Sequence, residues 1–290
     1  MKYRKTDPPN ILTLEDSLII EGDALHALRA LPEQSIQCAV TSPPYWGLRD
    51  YGVDGQIGLE STLPQFINHL VAIFNEVKRV LRDDGTLWLN IGDGYTSGNR
   101  GYRANDKKNP ARAMSVRPDT PEGLKPKDLQ GIPWRLAFAL QDDGWYLRSD
   151  IVWHKPNAMP ESVKDRPTRA HEYLFMLTKS ERYYYNYENV KEKGLNGKLR
   201  NRRSVWNINT KGFPGAHFAT FPSQLIEPCI LASTSPDDYV LDPFFGSGTV
   251  GFSCIEQHRK YVGIELNPEY VELAADRLST TKSRIIKIAV

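Results

Sequence analysis

Short apolar runs alternate along the chain with longer stretches in which apolar residues recur every three or four positions. Leu18-Ile19-Ile20, Ile36 to Val40, Thr86 to Ile91, Glu172 to Thr178, Tyr239-Val240-Leu241 and Tyr261 to Ile264 read as strands within a sheet. Trp145 to Trp153 alternates in a strand-like way. Arg182 to Tyr187 reads as one more strand, on which Tyr183, Tyr184 and Tyr185 would point to alternate faces. Helical spacing is clearest at Phe66, Leu70, Ile73, Phe74, Val77 and Leu81, with Ser61 or Thr62 as cap and Gly85 where the helix would stop. Shorter helices are predicted from Ala24 to Leu31 behind Asp23 as N-cap, from Pro133 to about Gln141, up to Ser233 with Ser223 as candidate N-cap, and from Thr249 to Gln257. Strands alternating with helices predict an α/β fold, a doubly wound and mostly parallel sheet, in a single domain covering residues 1–290.

Two segments interrupt this pattern. Residues 95–127 are rich in Gly, Asn, Pro and Arg without a period and read as a long basic loop insertion; from Gly98 to Lys127 eight basic residues face three acidic ones. Residues 189–216 form the second, with seven basic residues and one acidic between Lys191 and Lys211. The formal net charge is only +2, so the cations are concentrated, and two such clusters fit a phosphate backbone. The hydrophobic share of 40% and charged share of 25% are those of an ordinary globular protein able to bury a substantial core. No apolar run is long enough to span a membrane. The charges of Met1 to Lys5 lead into no signal core, so a cytoplasmic location is expected. Cys38, Cys229 and Cys254 sit in apolar segments without metal-ligand spacing, so a structural role is expected for them and no metal.

The chemistry concentrates at strand ends. Thr41-Ser42-Pro43-Pro44-Tyr45-Trp46 places hydroxyls, two rigid prolines and two aromatic rings at the carboxyl end of a strand, the edge where open α/β sheets bind ligands. Asp242-Pro243-Phe244-Phe245-Gly246-Ser247-Gly248-Thr249 follows another strand and opens a helix, so its glycines allow close backbone approach beside free helix N–H groups. Glu265 lies 19 residues beyond Gly246 at the end of the next strand, where a carboxylate can accept from two ribose hydroxyls. The combination points to an adenosine-containing cofactor; the missing G-x-G-x-x-G and phosphate-reading lysine argue against NAD and ATP. Asp93, in Gly92-Asp93-Gly94, is a further pocket candidate.

Together these residues resemble the amino-methylating DNA methyltransferases, over most of the chain. The family tetrad, Asp, Asn or Ser followed by Pro-Pro and an aromatic, is met at Ser42, Pro43, Pro44 and Tyr45, and its Phe-x-Gly-x-Gly turn at Phe244 to Gly248. The tetrad precedes the turn, which resembles the beta subgroup, and serine in first place resembles the cytosine-N4 branch. The resemblance implies a Rossmann-like domain using S-adenosyl-L-methionine, held by Asp23, Thr220, Asp242, Phe244, Gly246, Gly248, Thr249 and Glu265. Asp242 either orders the loop or meets the methionine amine. Thr220 and Ser223 are candidates for its carboxylate. Double-stranded DNA is the implied partner, contacted by Arg100, Arg103, Lys107, Lys108 and Arg112 in the first basic loop and by Arg200, Arg202 and Arg203 in the second, which by position resembles a target recognition region. Trp46 either adds to the base pocket or packs in the core. A companion restriction endonuclease and a monomer or homodimer are implied as well.

The tetrad's expected work is to collect the lone pair of an exocyclic amine. Ser42 Oγ and the Pro43 carbonyl would accept its two hydrogens while Tyr45 stacks on a base flipped from the duplex. Adenine N6 is an alternative target with the same geometry. A catalytically silent DNA-binding subunit, methylation of RNA or a protein amide, and an NAD-dependent oxidoreductase are further alternatives. Cytosine C5 methylation would need Cys229 as a thiolate, in surroundings that read as an apolar helix.

Overall fold

The computed structural model describes residues 12–48, 50–96, 120–210, 221–278 and 284–288. The chain runs β1 (Leu18–Glu21), α1 (Ala24–Arg29), β2 (Ile36–Thr41), α2 (Leu63–Val80), β3 (Leu81–Ile91), α3 (Ile132–Asp142), β4 (Tyr146–His154) and β5 (His171–Thr178). A 3-10 turn at Tyr187–Val190, the two-residue strands β6 (Glu192–Lys193) and β7 (Leu199–Arg200), and β8 (Val205–Asn207) follow. The second half is α4 (Ser223–Ser233), β9 (Tyr239–Asp242), α5 (Thr249–Glu256), β10 (Lys260–Glu265), α6 (Pro268–Arg277) and β11 (Arg284–Lys287). Nine strands make one sheet in the order β11-β1-β10-β9-β2-β3-β5-β4-β8, and β6 pairs with β7 as a separate hairpin. All pairings in the large sheet are parallel except those of β5, which runs against both β3 and β4.

Both faces of this sheet are covered, which is why its strands are continuously apolar. Leu18 and Ile20, Ile36 and Ala39, and Leu87 and Leu89 pack with α1, α2 and α3, whereas Ile19, Cys38, Val40 and Trp88 pack with α4, α5 and α6. The α2 stripe is fully buried, and Thr62, not Ser61, caps it by accepting from Gln65 N. All three cysteines are buried and reduced, in keeping with a structural role.

Three expectations are corrected. Helix α2 does not run on to Gly85: it ends at Val80 and passes directly into β3, where residues 82–85 bulge between the pairs Ile36–Leu81 and Cys38–Thr86. Gly85 is required there because a Cβ would come within 2.9 Å of the Arg82 carbonyl oxygen and 3.1 Å of that of Gln37. Residues 182–186 form a loop, not a strand, held through Tyr184 N to Asp84 O (3.0 Å) and Asn186 N to Ala232 O (2.7 Å). Ser223 is the first residue of α4, and Pro222 occupies the cap.

Gly263 in β10 carries a packing constraint of its own. The Phe245 ring lies over it and stacks on Tyr261, and a Cβ on Gly263 would overlap that ring. Gly263→Ala is therefore expected to destabilise the protein by about 1–3 kcal/mol, the usual cost of overpacking a core. Urea denaturation of the two proteins measures the difference.

Candidate active site

The carboxyl ends of β1, β10, β9, β2 and β3 share one edge of the sheet with the ends of β4 and β8 and, because β5 is reversed, with its first residues. The crossovers wind away in opposite directions from between β9 and β2, which makes this the switch point where a crevice opens. Across it, buried Thr41 Oγ1 donates to Asp242 Oδ1 at 2.6 Å, and Phe244 N donates to the same oxygen at 3.0 Å. Burial pushes the Asp242 carboxyl up to about 7 despite these donors, and the nearby Glu265 charge adds to the effect.

The tetrad begins where β2 stops, since Pro43 and Pro44 have no N–H to continue a ladder. Pro43 is buried, while Ser42, Pro44 and Tyr45 are half-buried at the crevice. The Tyr45 hydroxyl donates to Glu172 Oε2 at 2.9 Å, and the Ser42 side chain and Gly92 N–H interact with the same hydroxyl. Its ring fills the space that a side chain on Gly92 would need, a Cβ there meeting Tyr45 Cε2 at 2.6 Å. Burial and the Glu172 charge hold the phenol well above its ordinary range, so it stays neutral. Glu172 Oε2 also accepts from Asn90 Nδ2 at 3.3 Å, and Oε1 forms an ion pair with Lys155, whose ammonium lies 4.1 Å from the Trp153 ring centre. Sequence reasoning misses Asn90, Lys155 and Glu172; for the last two the available signal is a charged residue at the end of one strand and at the start of another.

On the other side of the crevice the glycine turn is tied to β10. Gly246 N donates to Glu265 Oε2 and Asn267 N to Glu265 Oε1, both at 2.8 Å, and burial raises the Glu265 carboxyl against these donors. Gly246 has φ +51°, and a Cβ on it would meet nothing within 4 Å, so the turn opens onto free space. Phe244 is half-buried beside it, whereas Phe245 is core. Asp23 caps α1 by accepting from His26 N at 2.9 Å.

Several expected site residues have other work. Trp46 is buried in the core and donates its indole N–H to Glu60 O at 2.9 Å, so it does not line the base pocket. Gly248 packs against Leu278 and Ala274, and Thr249 is buried and accepts from Arg277 Nη1 at 3.2 Å, so both brace the loop. Asp93 accepts from the backbone N–H groups of Gly94, Gly131 and Ile132, fixing the start of α3. Cys229 is buried, its thiol pushed well above the ordinary range, which removes it as a thiolate nucleophile. Arg200 pairs with Glu192 and Arg202 lies over the Trp206 ring, leaving Arg203 as the exposed one of the three. Together with Lys193 and Asn207, Arg200 and Arg203 border a cleft of about 660 Å³ that no tetrad residue lines. Arg100, Arg103, Lys107, Lys108, Arg112 and Thr220 lie outside the described residues.

The residues at the crevice fit S-adenosyl-L-methionine. Two raised carboxylates, Asp242 and Glu265, meet there, and among the described residues no cation acts on either. A cofactor bearing positive charge and ribose hydroxyls supplies what they lack, and the open Gly246 turn admits it. A Rossmann-like sheet with this paired edge defines an α/β methyltransferase. The DNA methylase family profile matches residues 36–276, so the chain belongs to that family, whose methyl donor is S-adenosyl-L-methionine. It is 72% identical over 288 residues to the type II methyltransferase M.Cfr9I of Citrobacter freundii, covering 99% of this chain and 95% of that protein. It is 74% identical over 281 residues to M.XycI of Xanthomonas campestris pv. cyanopsidis, covering 97% and 94%. The PvuII DNA methyltransferase (cytosine-N4-specific) shares the fold at a TM-score of 0.69 and 22% identity, over 96% of this chain and 97% of that one.

The raised Asp242 makes a signed prediction. Between an unfolded value near 3.8 and a folded value of about 7, the native state holds the extra proton, so this group's contribution to stability falls as pH rises through that window and is level above it. Asp242→Asn is expected to remove this component of the slope in thermal unfolding followed from pH 4.5 to 8. Thr41→Val deletes a hydrogen bond to the carboxyl and is expected to cost about 1.5–3 kcal/mol by urea denaturation.

Proposed function

We propose that this site-specific DNA methyltransferase methylates the N4 amine of cytosine in double-stranded DNA, by direct displacement on a flipped base. The observation that carries this reading is the Ser42-Pro43-Pro44-Tyr45 tetrad at the end of β2, bound through Thr41 to the strand that leads into the open Gly246 turn. The cofactor, when bound, supplies an electrophilic methyl group on a sulfonium. Glu265 holds its ribose, Phe244 packs against it, Asp23 and Asp242 meet its amino groups, and Gly246 gives its backbone approach.

On the other side, Ser42 Oγ and the Pro43 carbonyl accept the two amine hydrogens and turn the nitrogen lone pair towards the methyl group. The prolines keep that carbonyl unpaired and the strand end stiff. Tyr45 stacks on the base, offsetting part of the few kcal/mol that flipping costs. Arg203 and the basic residues of 95–127 and 189–216 contact the DNA backbone. Cytosine is favoured over adenine by serine in the first tetrad position and by the fold shared with the cytosine-N4-specific PvuII enzyme. The type II methyltransferases among its relatives support a role in restriction-modification beside a companion endonuclease.

Incubation with unmethylated mixed-sequence duplex DNA and methyl-labelled cofactor, followed by nucleoside mass spectrometry, is expected to yield N4-methylcytosine; N6-methyladenine would reassign the base. Ser42→Ala is expected to lower turnover by about a hundredfold, the scale of one positioned hydrogen-bonding group, with cofactor affinity unchanged in calorimetry.

A further inference from the structure

Glu172 and Lys155 are 18% and 17% exposed by their side chains, and form a largely desolvated ion pair beside the tetrad. An apolar pair in such a place is often as stable, so stability alone gives little reason for these charges. Their position gives one. From Ser42 a line of side chains leads away from the crevice: Ser42 interacts with the Tyr45 hydroxyl, and that hydroxyl donates to Glu172.

Methylation of an exocyclic amine leaves the nitrogen with one proton too many. Ser42 accepts an amine hydrogen but is itself no base. Of the other carboxylates near the tetrad, Asp93 is held by three backbone N–H groups and Arg169, and Asp242, which takes Thr41 and Phe244 N on one oxygen, is assigned to the cofactor side of the crevice. Asn90, which bonds to the same Glu172 oxygen, is an amide and takes no proton.

We propose that Glu172 takes up the proton lost by the target amine, relayed through the hydroxyls of Ser42 and Tyr45. The inference rests on the proposed reaction at a DNA amine and holds for cytosine or adenine. The nitrogen lone pair forms the bond to the methyl carbon as the carbon–sulfur bond breaks, its electron pair remaining on sulfur. In step with this, an amine proton passes to Ser42 Oγ, the Ser42 proton to Tyr45 Oη, and the Tyr45 proton to Glu172 Oε2. Both hydroxyls are restored and Glu172 is left neutral. The proton then leaves Glu172 to water at the exposed rim of its ion pair with Lys155.

The test combines single-turnover methyl transfer to duplex DNA with NMR of the free protein labelled at the tyrosine ring carbon that bears oxygen. Glu172→Gln keeps an acceptor for Tyr45 but no base, and Tyr45→Phe keeps the stacking ring but no relay. Each is expected to slow transfer about a hundredfold, the scale of general base catalysis, and to abolish the wild type's slowing in heavy water. The double variant is expected to be no slower than either single one, since the groups act as a unit. In the free protein, Ser42→Ala and Glu172→Gln should both shift the Tyr45 resonance. Unchanged cofactor affinity in calorimetry verifies that each variant is folded; if Glu172→Gln is not, Tyr45→Phe and the heavy-water comparison decide. A Glu172→Gln enzyme with the full rate, or a Tyr45 resonance indifferent to Ser42→Ala, overturns the relay alone. A wild type that transfers no methyl group to DNA overturns the proposed function and the relay with it.

Discussion

The site depends on one hydrogen bond between residues 201 positions apart, from Thr41 to Asp242. It closes the switch point between β2 and β9, where the sheet by itself would leave two strand ends free to splay. Asp242 also accepts from Phe244 N, so the same oxygen sets both the tetrad's strand and the first turn of the cofactor loop. Two motifs far apart in sequence thereby share a single atom as their reference point. Reactions that need an attacking nitrogen and a methyl carbon within a few tenths of an ångström require such a reference.

The two sides of the crevice meet the burial of carboxylates in opposite ways. Among the described residues Asp242 and Glu265 are met by neutral donors, and their affinity for protons rises. Glu172 faces a lysine. The first pair has no cation acting on it among the described residues, and the second is already balanced by one. Electrostatics therefore gives the crevice a direction independent of shape.

Much of this was legible because it is local. The strand runs follow from two-faced burial, the α2 stripe from helical spacing, and the tetrad and glycine turn are contiguous segments whose residue types state their backbone needs. Legibility failed where a partner is distant. Nothing near Thr41 announces Asp242, and Trp46 beside a tetrad looks like a pocket wall until Glu60 is found to hold its indole. Gly248 and Gly246 are alike in sequence and differ only in what stands above them. Gly85 looks like a helix stop, yet its use is to let β3 bulge past the Gln37 carbonyl. Three successive tyrosines suit a strand, but among the described residues no strand pairs with them, and loop hydrogen bonds prevail.

The reversal of β5 has the same long-range character and the largest chemical consequence. In a wholly parallel sheet only the last residues of each strand reach the ligand edge, and a residue heading a strand lies a full strand length away. Because β5 runs against β3 and β4, its second residue, Glu172, pairs with Trp153 at the end of β4, and Lys155 follows two residues later. The reversed strand thus brings an acid and its counter-ion to the edge at which β2 delivers Ser42 and Tyr45. Gly92 completes the arrangement at the end of β3 by leaving room for the Tyr45 ring to reach across to that acid. Strand direction, more than proximity in sequence, is what places a carboxylate within reach of a serine 130 residues earlier in the chain.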